Sequence, residues 1–202
     1  MKKNALVFLL FTAVFLSLIY VQSGCQSHEK KEMTNEEMIE RGKYLVTAGG
    51  CNDCHSPKVF GQMGPMIDST KLLSGHPAGS PMAEIDTSMV APGKWYLASA
   101  DLTAWVGPWG ISYTANLTPD EATGIGTWTD EVFIKAIRTG KHMGVGRPIL
   151  PPMPYDQYAK LKDEDLKSMF AYLKSLPPLP NKVPDPVPPN MLGSMHRKSK
   201  KM

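Results

Sequence analysis

Cys51-Asn52-Asp53-Cys54-His55 places two thiols and an imidazole in one short run. C-x-x-C-H is the attachment sequence for c-type haem. The two thiols add across the vinyl groups of the porphyrin, and the histidine directly after the second coordinates the iron from one face. A zinc or redox module is the competing use of the same three residues. It fits less well, because two thiolates with an adjoining histidine lack the usual spacing of a structural zinc site. The motif occurs once, so the expected cofactor is one covalently attached haem c per chain, with iron as its metal.

Upstream of the motif, Thr34-Asn35-Glu36-Glu37 has the form of a capping box. Met38, Ile39, Gly42, Leu45 and Val46 recur at helical spacing, and Gly49-Gly50 should stop the helix near Ala48. Residues 25–33 are polar and read as a tether. Residues 1–24 combine Lys2 and Lys3, an apolar run from Ala5 to Val21, and Ser23-Gly24 before Cys25. That pattern reads as an export signal. Small residues directly before a lone cysteine resemble a bacterial lipobox, whose cysteine is lipidated, although Gln22 stands where leucine is usual. An uncleaved N-terminal helix is the alternative, the run of about 17 residues being at the short edge of a bilayer span. Either way the domain is expected outside the cytoplasm, against a membrane. Lipidation of Cys25 and haem attachment at Cys51 and Cys54 use all three cysteines and leave none for a disulfide.

The net charge of +3 falls to +1 without Lys2 and Lys3 and selects no partner. Arg197, Lys198, Lys200 and Lys201 read as a solvated terminus, and no nucleic-acid partner is expected for an exported haem protein.

Downstream, residues 56–128 are rich in Pro, Gly, Ser and Met and show no helical period. Short extended pieces are expected at Trp95 to Ala98 and Ile111 to Ala115, with Gly107-Pro108-Trp109-Gly110 as the turn between them. A long irregular segment inside a domain needs something large to pack on, and a haem qualifies. A helix is expected from Thr129, its N-cap, to Gly140, with Val132, Phe133, Ala136 and Ile137 as its apolar stripe. Another runs from about Asp163 to Leu176, ended by Pro177. Seven prolines between Pro177 and Pro189 exclude helix and sheet there and predict an extended strap or a tail.

An electron-carrying haem needs a second strong ligand. Thirteen methionines make any one of them uninformative, except Met153 in Pro151-Pro152-Met153-Pro154. Prolines on both sides stiffen the backbone and remove amide donors, so the sulfur is presented with little entropy to lose. Methionine paired with histidine raises the potential of haem iron. Met153 is therefore the expected partner of His55. His142 is the rival, and Met143 lies beside it.

These residues resemble class I c-type cytochromes. They are most similar to the cytochrome c modules of bacterial membrane-bound alcohol and gluconate dehydrogenases. The resemblance rests on Arg41-Gly42-Lys43-Tyr44-Leu45, Cys51 to His55, Ala115-Asn116-Leu117-Thr118-Pro119-Asp120 and Thr123-Gly124-Ile125-Gly126-Thr127-Trp128-Thr129-Asp130. It continues through Arg138-Thr139-Gly140, Gly146-Arg147, Pro152-Met153-Pro154-Tyr155 and Phe170-Ala171-Tyr172-Leu173-Lys174-Ser175-Leu176. It implies a mainly α, cytochrome c-like domain over 34–180, with a long irregular insertion and a Pro-rich then basic tail over 181–202. It further implies that Gly42 and Tyr44 meet Phe170 and Tyr172 where the first and last helices cross, and that Arg147 lies near a haem propionate. The family's dehydrogenase subunits carry several haem segments, whereas this chain has one. The stretch from His76 to Gly110, with Trp95, Trp105 and Trp109, has no match in that pattern.

The expected function is single-electron transfer on the periplasmic side of a bacterial membrane, with no catalytic residues. The partners would be a dehydrogenase or quinol-oxidising complex as donor and a cytochrome or oxidase as acceptor. The alternative is a haem enzyme that binds a small substrate at an open or displaceable iron site.

Overall fold

The structure is a computed structural model and describes residues 32–192. The leader, Cys25, most of the tether and the basic tail lie outside the described residues. Among the described residues, those from Thr34 on form one packed unit.

Helix α1 (Asn35–Ala48) begins with the expected reciprocal cap: the Glu37 amide donates to Thr34 Oγ1 at 3.2 Å, and the Thr34 amide donates to the Glu37 carboxylate at 2.8 Å. It ends at Gly49, and Gly50 turns the chain with φ +69°. Helix α2 (Cys51–His55) follows at once and holds the haem motif. Helix α3 (Asp130–Thr139) is capped by Thr129 and stopped by Gly140 at φ +63°. A Cβ on Gly140 would fall 2.3 Å from the Tyr155 ring, so glycine satisfies both the left-handed turn and the close approach. Helices α4 (Tyr155–Tyr158) and α5 (Asp163–Ser175) complete the frame.

Helix α1 packs along α5. At their crossing an added Cβ on Gly42 would lie 1.8 Å from the Ser168 carbonyl oxygen and 2.8 Å from Tyr172 Cβ. Gly42 therefore meets Tyr172 as expected. Tyr44 does not share that position, being 69% exposed. Two residues along an α-helix is about 200° around its axis, which turns Tyr44 away from the side that Gly42 packs. Phe170 pairs with Phe133 of α3, ring centroids 5.3 Å apart. Val46, Leu73, Ile125, Phe133, Ile137, Leu166, Met169, Phe170 and Leu173 form the main core. Burying Leu166 or Leu173 contributes roughly 1.5–3 kcal/mol each. Arg138 ties α3 to the start of α5 through the carbonyls of Ala159 and Leu161 and the Asp163 carboxylate.

The stretch expected to be irregular contains two small antiparallel sheets. Strands β1 (Lys58–Gly61) and β2 (Gly64–Ile67) form a hairpin with Lys58 opposite Ile67. Strands β3 (Leu97–Ala98), β4 (Ala104–Gly107) and β5 (Gly110–Tyr113) form a meander in that order. The Gly107–Gly110 turn is present, but it joins β5 to β4, a strand the sequence did not reveal. Strands of two to four residues are too short for a two-residue period to register. The β4 side chains are also buried or half-buried throughout, so no polar alternation marks them. Val90, Val106 and Ile111 make a second, smaller core beneath the meander.

The proline-rich segment is a strap. Asn116 donates to the Leu179 carbonyl at 2.8 Å, and the Leu179 amide donates to Thr118 Oγ1. Asn181 Nδ2 donates to the carbonyls of Ser74 and His76, while its oxygen accepts from the Ala78 amide. Val187 and Ile111 exchange backbone hydrogen bonds at 2.8 and 3.0 Å. The packed unit thus continues past residue 180. Among the described residues no helix is long and apolar enough to cross a membrane.

Candidate haem site

Helix α2 presents its motif to a cavity of about 560 Å³. Cys51, Cys54 and His55 all line it. The His55 ring is buried, and its Nδ1 lies 2.8 Å from the Ala115 carbonyl oxygen. A carbonyl only accepts, so Nδ1 carries the hydrogen and Nε2 is left as the ring's free acceptor. Burial holds the His55 pKa below the usual imidazole range, although the Ala115 bond pulls upward, so the ring is neutral at neutral pH. Burial likewise pushes the Cys51 thiol up to about 11 and raises Cys54. The two are not disulfide-bonded to each other.

Several contacts hold this wall. The Gly75 amide donates to the His55 carbonyl at 2.7 Å, and the Leu73 amide to Ser56 Oγ at 2.9 Å. Lys58 Nζ reaches the carbonyls of Asn52, Asp53 and Ser56 at the C-terminal end of α2, where a cation is favoured.

Met153 also lines the cavity, in the loop between the short 3-10 turn His142–Gly144 and α4. The other cavity walls are largely apolar, from Val46, Ile125, Phe133, Ile137, Leu166 and Leu173. Arg147 and Lys182 add cationic groups to the lining. An apolar slot with thiols and a neutral imidazole on one wall, a thioether in a second loop and cations among its walls fits an iron porphyrin with two carboxylates.

The structure therefore gathers Cys51, Cys54, His55, Met153 and Arg147 around one cavity. His142 is brought there too, its ring edge-on to Trp128 at 5.2 Å. Met143, Met63, Met66 and Met89 are exposed, and Met82 packs on the second core. His76 is buried, bonded to Thr103 Oγ1 at 2.8 Å and packed at a tilt against Tyr113, ring centroids 4.8 Å apart. Cys25, His28 and His196 lie outside the described residues. Among the described residues no group of three or more His, Cys, Asp or Glu is placed to hold a metal ion, so the motif does not converge as a zinc site would.

Three contributors escaped the sequence reading. Tyr158 lines the cavity and donates to the Gly49 carbonyl, and burial pushes its phenol up to about 12. Trp105 and Ser112 bring the meander to the cavity wall. Lys182 to Pro186 bring the strap there. Only Tyr158 left a local trace, an aromatic three positions after Tyr155 in a short segment following the proline loop.

The cytochrome c family matches residues 39–177. The gluconate 2-dehydrogenase cytochrome c subunit of Pantoea cypripedii is 33% identical over 143 residues, covering 70% of this chain and 24% of that protein. The fructose dehydrogenase cytochrome subunit of Gluconobacter japonicus is 34% identical over 135 residues, 67% of this chain and 20% of that protein. The cytochrome c subunit of the quinone alcohol dehydrogenase of Gluconobacter oxydans is 30% identical over 154 residues, 75% of this chain and 24% of that protein. The chain thus spans a quarter or less of the length of these relatives. With the family match running from α1 through α5 and the haem motif on the cavity wall, the chain belongs to the cytochrome c family.

Proposed function

We propose that this chain is a single-haem electron carrier on the periplasmic side of a bacterial membrane. It takes one electron at a time from a dehydrogenase or quinol-oxidising complex and passes it to a further cytochrome or an oxidase. The observation that carries this reading is that His55 and the proline-bracketed Met153 line the same cavity. The relatives' names, cytochrome subunits of gluconate, fructose and alcohol dehydrogenases, support dehydrogenase partners.

When bound, the haem supplies the one-electron ferric–ferrous couple. Cys51 and Cys54 hold it covalently. His55 gives Nε2 to the iron, with its ring oriented by Ala115. Met153 would give its sulfur, a neutral thioether that favours the ferrous state. Arg147 pairs with a propionate. The surrounding apolar walls keep water from the iron and tune the potential. Cys25 carries the lipid that tethers the domain to the membrane.

The test is the absorption spectrum of the purified ferric protein and its ferrous form under carbon monoxide. A weak near-infrared sulfur-to-iron band, with no carbon monoxide binding, is expected. A wild type that lacks the band and binds carbon monoxide is instead a haem enzyme with an open site.

A further inference from the structure

The segment from His76 to Gly110 is the stretch whose role the sequence leaves open, and strand β5 at its end reaches the cavity. Ser112 is buried in β5 at 7% exposure, and its hydroxyl donates to the Pro151 carbonyl at 2.6 Å. Trp109 Nε1 in turn donates to Ser112 Oγ at 3.2 Å. This chain of two bonds ends two residues from Met153. The prolines around that methionine supply no amide hydrogens, so the loop cannot tie itself down through its own N–H groups at 151, 152 and 154. It offers carbonyls, and a donor must come from elsewhere.

The rest of the meander is built to deliver that donor. Trp109 lies over Gly107, where an added Cβ would stand 2.4 Å from the indole ring, so the ring packs directly on the turn. Gly110 has φ +99°, and an added Cβ would lie 1.9 Å from the Val187 carbonyl oxygen, so the strap closes on the turn's other glycine. Ile111, next to Ser112, is bonded to Val187 through both backbone groups and is fully buried. Ser112 is thereby held from its own strand, from the strap and from Trp109 at once.

We propose that Ser112 and Trp109 are positioning residues for Met153: the β4–β5 turn is a buttress that holds the sulfur-bearing loop against the iron. This rests on Met153 as the axial ligand. With the buttress removed, the Met153 loop has more conformations to sample, and an outside ligand displaces the sulfur more readily. The loss of one buried hydrogen bond is worth roughly a five- to tenfold change in that competition.

The experiment is a titration of the ferric full-length holoprotein with imidazole, reading the sulfur-to-iron band. Ser112→Ala should reach half-displacement at roughly five- to tenfold lower imidazole than wild type. Trp109→Phe keeps the packed ring and loses only the N–H, and should shift in the same direction by less. Ser112→Thr, which keeps the hydroxyl, should return toward wild type. Thermal unfolding of each variant is followed in parallel. If Ser112→Ala does not yield folded holoprotein, Trp109→Phe decides alone. Half-displacement unchanged in folded Ser112→Ala or, failing that, in Trp109→Phe overturns the buttress while leaving Met153 ligation intact. A wild type without the band removes the Met153 reading and the buttress with it.

Discussion

The two walls of the cavity that would grip the iron are built in opposite ways. The His55 wall is a helical turn fixed on every side: Ala115 orients the ring, Gly75 and Leu73 bond to His55 and Ser56, and Lys58 caps the carbonyls. The Met153 wall is a loop. Its stiffness comes from three prolines, and its outside support from the Ser112 bond to Pro151 and from the Ile149 amide on the Gly140 carbonyl. One wall is over-determined by its surroundings, and the other depends on a few contacts. The difference teaches that, if His55 and Met153 hold the iron as proposed, the sulfur side is where small changes should alter ligation and potential.

The strongest way to break this contrast is to remove the permanent side. Cys51→Ala with Cys54→Ala should abolish covalent haem, read as haem extracted completely by acid–acetone. Haem that stays with the double variant would show attachment elsewhere.

Next in size is the sulfur side alone. Met153→Ala should keep covalent haem and a folded domain, yet lose the near-infrared band, bind carbon monoxide when ferrous and lower the reduction potential. Survival of the band in this variant would assign the sulfur to another methionine.

The strap gives a third comparison. Asn181→Ala removes bonds to Ser74, His76 and Ala78, and Ser74 and His76 flank Gly75, whose amide bonds the His55 carbonyl. It should cost about 1–3 kcal/mol in denaturant unfolding. The sulfur band should be unchanged. A shifted band would mean that Asn181, and not only the Val187 end of the strap, supports the Met153 wall.

The smallest expected effect is a pH dependence. His76 is held below the usual imidazole range by burial, opposed by the Asp101 carboxylate. Its neighbours are Thr103, which it bonds, and Tyr113, against whose ring it packs at a tilt. The unfolded state therefore binds the proton first as pH falls. The stability His76 contributes is complete above the ordinary histidine pKa of about 6.5 and is lost as pH drops below it. His76→Gln should flatten the stability profile between about pH 6.5 and 5 relative to wild type. An identical slope in both proteins would show that His76 does not titrate on unfolding.

Much of this molecule was legible before any coordinates. The Thr34 and Thr129 caps, the stops at Gly49-Gly50 and Gly140, the haem motif and the Met153 loop are all written in neighbouring residues. Each depends on a local cause: a hydroxyl three positions from an amide, a glycine that accepts positive φ, a ring that fixes φ. The Pro177–Pro189 run was readable as extended chain for the same reason. What packs on that chain was not. Asn181 meets Ser74, His76 and Thr123 across a large sequence separation, and nothing in its neighbours marks it. Strands β1, β2 and β4 were missed because four residues carry too little period to read, whereas the extended pieces at β3 and β5 were expected. Tyr44 was misplaced because a resemblance names a residue without saying which side of its helix faces the partner. Ser112 was invisible for the most general reason. A lone serine in a strand has no local signature, and its role exists only because folding sets its hydroxyl against a proline carbonyl far along the chain. Local sequence determined which residues offer ligands and where helices begin and end. Tertiary structure decided which surfaces those residues face, because contacts between distant segments depend on packing that no short stretch encodes.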